Sequence, residues 1–116
     1  MLTFQTDDPT ALLKAFDNAI ARGDQKGGIT TWQKIGNDYT HVAAQWQMKA
    51  YFEPRIEAGK LVFNIVKNKS TDVSVTVYGY YHGHLLETFL NHFDRLFYGA
   101  ACTPLCAGGD YCQAAA

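Results

Sequence analysis

The residues with the most chemical promise are two histidines two positions apart, His82-Gly83-His84, with Glu87 three residues further on. On an extended strand, residues i and i+2 share a side, so both rings could approach one metal ion or one substrate. Two facts weigh against a metal. Zinc sites take three or four protein ligands. Gly83 also falls where a strand is expected to give way to a helix, which turns the rings apart. His82 and His84 therefore remain candidates for acid–base work, and no cofactor is expected. His41 is expected to be exposed beside a turn, and His92 to pack beside the apolar stripe of the last helix.

Cys102, Cys106 and Cys112 lie close together near the C-terminal end. With one histidine they would make a Cys3His zinc set, but a second closely spaced pair is missing. The other states are one disulfide with a free thiol, or three reduced thiols, and reduced thiols are expected. None of the three opens an expected helix, where a thiolate nucleophile would be stabilised. Ser70 and Ser74, the only serines, lack a G-x-S-x-G setting. Gly27-Gly28 leads into a strand rather than a helix, against phosphate binding. Arg22-Gly23-Asp24 reads as a helix stop followed by a loop.

These groups must be positioned by one domain of 116 residues. Ten Lys+Arg against eleven Asp+Glu leave no basic stripe for nucleic acid. The start of the chain does not resemble a signal peptide and no run is apolar enough to span a bilayer, so the expected compartment is the cytoplasm. Seven Phe, seven Tyr and two Trp supply a large core for a small chain.

The first helix begins at Asp8-Pro9, cap and first turn, and ends at Arg22-Gly23, with Leu12, Leu13, Phe16 and Ile20 on one face. Four strands are expected next, over residues 29–35, 42–53, 60–67 and 73–81, with Pro54 ending or bulging the second. Alternation of Val42, Ala44, Trp46, Met48, Ala50 and Phe52 is the main signal, and it places Trp46 in the core at a cost of about 3–5 kcal/mol if truncated. A second helix starts near Gly83 or His84 and carries Leu85, Leu86, Phe89, Leu90 and Phe93 to Gly99. The expected fold is an α+β two-layer sandwich: helix, four-stranded antiparallel meander, helix. Both helices lie on one face, with one domain over residues 1–99 and an irregular tail over 100–116.

The opposite face of that sheet would show Tyr51, Tyr78, Tyr80, Val62 and Val66, joined by Trp32. Tyrosines and valines together are too apolar for an ordinary wet face. Its cover could be a second copy, a small apolar or aromatic ligand, or the tail folded back. The expected function is thus a non-enzymatic bacterial domain, homodimeric or ligand-binding through this face. The alternative is a small enzyme with a cavity there and His82 or His84 as its acid–base group.

Overall fold

The computed structural model describes residues 1–114, so Ala115 and Ala116 of the expected tail lie outside the described residues. The elements in chain order are β1 (Leu2–Gln5), α1 (Pro9–Arg22), β2 (Trp32–Ile35), β3 (Asp38–His41), β4 (Ala50–Glu57), β5 (Lys60–Lys67), α2 (Val75–His92) and β6 (Gly99–Cys102). They form an α+β fold with one six-stranded antiparallel sheet in the order β2-β3-β4-β5-β1-β6. The consecutive strands β2 to β5 are a four-stranded meander. The two chain ends add β1 and β6 beside β5.

Helix α1 starts as its residues dictate. The Asp8 carboxylate accepts the Ala11 N–H at 3.0 Å, Pro9 takes the first turn and Gly23 follows Arg22. Leu12, Phe16 and Ala19 are buried on the sheet. Tight hairpins join β2 to β3 at Gly36 (φ 62°) and β4 to β5 at Gly59 (φ 75°), left-handed conformations that glycine adopts without steric cost.

The core is aromatic. Phe4 stacks on Phe89 with centroids 4.3 Å apart, Phe16 lies 5.0 Å from Phe89, and Phe63 meets Phe4, Phe16, Phe52 and Phe89. Rings from α1, α2, β1, β4 and β5 thus meet in one layer between helices and sheet. Trp32 joins them, fully buried, and its indole N–H donates to Thr88 Oγ1 at 3.0 Å.

Several expected elements are corrected. The strand over residues 42–53 is instead a compact turn at 43–49, following directly on β3, and then the first residues of β4 from Ala50. The turn sequence Ala-Ala-Gln-Trp-Gln-Met-Lys alternates, but it consists mainly of helix formers with poor strand preference. The Ala43 carbonyl accepts the N–H groups of Trp46 and Gln47, and Thr40 Oγ1 accepts that of Met48. Trp46 is accordingly not a core strand residue. It lies half-buried, stacked on Tyr80 with centroids 3.9 Å apart. Strand β4 runs through Pro54, because β3 reaches β4 only at Tyr39–Phe52 and beyond that point β4 has β5 alone as neighbour.

Residues 75–81 of the expected strand over 73–81 are the first two turns of α2. The Ser74 hydroxyl caps it by accepting the Val77 N–H at 3.1 Å. Val77, Tyr78, Tyr81, His82, Leu85, Thr88 and Phe89 then bury one helical face. That tertiary burial overrides the poor helix propensity of Val, Thr and Gly.

Truncating the shared ring of this core, Phe89→Ala, is expected to lower unfolding free energy by about 3–5 kcal/mol. Trp46→Ala, which loses one stacked pair and partial burial, should cost about 1–2 kcal/mol. Urea titrations of both variants measure the difference, and equal losses would contradict this placement of Trp46.

Candidate functional site

Strand β1 pairs with β5 only from Lys60 to Phe63. The rest of that β5 edge is completed by the tail. The Tyr111 N–H donates to the Ile65 carbonyl at 2.8 Å, and the Lys67 N–H donates to the Tyr111 carbonyl at 2.7 Å. Val66 and Tyr111 form a parallel bridge. The tail therefore folds back on the sheet.

Asp110 anchors this return. Its side chain is fully buried, and both oxygens are used. Oδ1 accepts from Asn64 Nδ2 at 2.8 Å and the Ile65 N–H at 3.0 Å. Oδ2 accepts from the Met1 amine at 2.8 Å and the Ala107 N–H at 2.9 Å. Burial works against ionisation, but these donors outweigh it and hold the carboxyl below its ordinary range. Gly109 (φ 93°) brings the turn so close that a Cβ there would lie 2.7 Å from Asn64 Oδ1.

Between this tail and the start of α2 runs an open groove of about 520 Å³, lined chiefly by Val73, Val75, Tyr78, Leu105, Tyr111 and the Cys106–Cys112 disulfide. Val75 is 89% exposed, Leu105 75% and Tyr111 49%. The Tyr78 hydroxyl forms the polar floor. It lies 2.7 Å from the Thr103 carbonyl oxygen, 3.1 Å from that of Leu105 and 2.9 Å from the Met1 amine. Burial raises its pKa, so Tyr78 is a fixed hydrogen-bonding group rather than a base.

The residues expected to share one face are distributed over several. Tyr51, Val62 and Val66 do lie on the outer face of the sheet, with Tyr51 opposite Val66, but Glu53, Arg55 and Asn64 lie among them. Val62 is buried between Thr3 and Arg55 in register. Trp32 belongs to the inner core. Tyr78 and Tyr80 are on α2, not on the sheet, and they face different neighbours: Tyr78 the tail, Tyr80 the 43–49 turn.

His82 and His84 also part company. His82 is buried, with Nδ1 2.7 Å from the Tyr78 carbonyl and Nε2 3.2 Å from the Met1 amine. A carbonyl only accepts, so Nδ1 carries the proton and Nε2 is the acceptor. Burial pushes its pKa down to about 4. His84 lies on another side of α2 against His41. Neither histidine lines the groove. His41 is buried rather than exposed, and His92 is exposed rather than packed.

The cysteines are corrected too. Cys106 and Cys112 are joined, with Cα atoms 6.6 Å apart, and Cys102 remains a free thiol on β6. They are neither three reduced thiols nor a converging ligand set, and among the described residues no group of three His, Cys, Asp or Glu could hold a metal ion. No helix of the described residues is long and apolar enough to cross a membrane.

Asp110 and Leu105 carry no local sequence signal for a site. Gly108-Gly109-Asp110 reads as a generic turn, and only the tertiary return makes it a site. No family model, curated protein or solved structure matches the chain.

The buried histidines set a pH dependence. His41 and His82 are both held at about 4 in the fold, against 6.5 ordinarily, chiefly by burial. As pH falls, the unfolded chain takes up protons first, so their contribution is complete above about 6.5 and drains between about 6.5 and about 4. Asp110, held low, adds a loss only in more acidic solution. Urea midpoints should therefore fall from about pH 7 to about pH 4.5. A flat profile over that interval would show that the histidines titrate normally.

Proposed function

We propose that this chain is a binding protein whose groove between the start of α2 and the tail takes a small, largely apolar or aromatic ligand. The observation that carries the reading is the groove itself. Its volume of about 520 Å³ lies within the range of small-molecule sites. Val75, Leu105 and Tyr111 are exposed along it, and covering them removes apolar surface from water at about 25 cal/mol per Å². Among the polar groups along it, Ser74 caps α2, the Tyr78 hydroxyl bonds the tail and Asp110 has both oxygens occupied; Gln113 also lines the groove. A site of this kind selects by shape and aromatic contact rather than by charge.

Catalysis is less well supported. His82 uses both ring nitrogens within the fold, and His84 faces away from the groove. A second copy of the chain is the other occupant consistent with exposed apolar walls, and sedimentation velocity distinguishes it from a small ligand. The disulfide suits an oxidising compartment better than the cytoplasm expected from the sequence.

The probe is 1-anilinonaphthalene-8-sulfonate, titrated into the native chain. Saturable binding is expected, weakened about tenfold or more by Leu105→Glu and by Val75→Asp, both at exposed positions. Far-UV circular dichroism should be unchanged in each variant. Indistinguishable titrations for wild type and both variants would sink the assignment of the groove.

A further inference from the structure

On the other side of α2, His41 and His84 stand with His41 Nε2 2.5 Å from His84 Nδ1. His41 Nδ1 is 3.2 Å from the Ala43 amide nitrogen, at the entry of the 43–49 turn. His84 Nε2 faces outward, 4.0 Å from Glu87 Oε1. We infer that this pair is a proton-operated latch: on taking up one proton it releases the Ala43 amide and with it the entry of the turn.

Counting protons carries the inference. An amide N–H can only donate, so His41 Nδ1 is unprotonated and neutral His41 carries its proton on Nε2. That proton is donated to His84 Nδ1, which leaves His84 protonated on Nε2. The neutral pair therefore holds two protons on four nitrogens. The gap between the facing nitrogens holds only one, and His84 Nε2 is already occupied. A proton arriving from solvent has one place left, His41 Nδ1, which then turns an N–H against the N–H of Ala43. The pair becomes a monocation and the contact is lost.

The alternative response is for the rings to separate, and their packing resists it. Trp32 lies 5.1 Å from the His41 ring and is stacked at 5.5 Å on His84. Tyr80 lies 5.2 and 5.7 Å from the two rings, and Tyr81 is 6.0 Å from His41. Among the groups named around the pair, Glu87 is the one charged side chain and favours the cation, while burial opposes it. Ala43, by contrast, is exposed.

The far end of the turn is tied independently. The Met48 N–H donates to Thr40 Oγ1 at 3.1 Å, and the Met48 carbonyl accepts from Asn68 Nδ2 at 2.9 Å. Tyr81 donates its hydroxyl to the Trp46 carbonyl. Met48 holds a left-handed φ of 57°, unusual for a non-glycine residue. Acid thus frees the entry of the turn at Ala43 while the end held at Trp46 and Met48 stays fixed.

The test is amide hydrogen exchange by NMR on the native chain between about pH 7 and about pH 3.5, with the histidine ring nitrogens followed in parallel. After correction for intrinsic rates, Ala43 should exchange about tenfold or more faster once the pair is protonated, while Met48 and the β5 amides keep their protection. His41→Asn supplies a side-chain oxygen that accepts but does not titrate in this range, and should abolish the extra pH dependence at Ala43. If that variant does not fold, the wild-type profiles decide alone. Unchanged Ala43 protection while the rings titrate, a pair that stays neutral until the chain unfolds, or simultaneous loss at Ala43, Met48 and β5 would each overturn the latch.

Discussion

The constraint on which most of the molecule turns is the unfinished edge of β5. This strand has eight residues, and β1 covers only half of one side. Backbone groups in a buried strand must find partners, since each one left unpaired costs on the order of 1–3 kcal/mol. The chain meets that need with Asp110 and Tyr111, which return from beyond α2 and β6 to bond Ile65 and Lys67. To reach Ile65 from the end of β6, the tail must pass the start of α2. The groove is the space left along that passage, and the Cys106–Cys112 bond and the buried Asp110 carboxylate close its far end.

Where local residues decide local structure, the sequence was readable. Asp8-Pro9 and Arg22-Gly23 bound α1 where expected, and Gly36 and Gly59 sit in the tight turns that join successive strands. Strand β5 matches its expected range of 60–67. Phe16, Phe52 and Phe89 are core residues, as their apolar spacing implied. The α+β class follows from these elements alone. Strands β1 and β6 were missed for different reasons. Leu2-Thr3-Phe4-Gln5 alternates, but over only four residues. Gly99-Ala100-Ala101-Cys102 has no strand-forming side chain, and it is a strand because β1 lies beside it.

The site was much less legible. Alternation in Val73 to Tyr81 is compatible with a strand, while burial at Val77, Tyr78, Tyr81, His82 and Leu85 is compatible with a helix. Local propensity leans toward the strand, because Val, Thr and Tyr favour strands over helices. The choice is made by the aromatic layer into which Tyr81, Leu85 and Phe89 fit. Asp110 carries no sequence signal at all, since its role exists only when Asn64, Ile65 and Ala107 have already been brought around it.

The change from strand to helix alters what the Tyr and His residues can do. On a strand, Tyr78, Tyr80, His82 and His84 would line a single face. On a helix, residues two apart point roughly 200° away from each other and residues four apart point the same way. The same residues therefore regroup into two pairs. Tyr78 and His82, stacked at 3.9 Å, turn toward the tail and the floor of the groove. Tyr80 and His84 turn toward β3 and the 43–49 turn, with centroids 5.7 Å apart. Tyr81 and Leu85 lie between them in the core. One rigid helix thus separates a hydrogen-bonded aromatic floor from a titrating histidine pair. The aromatic richness of the chain is divided by helical geometry into a core and two flanking clusters with different chemistry, rather than gathered into one binding face.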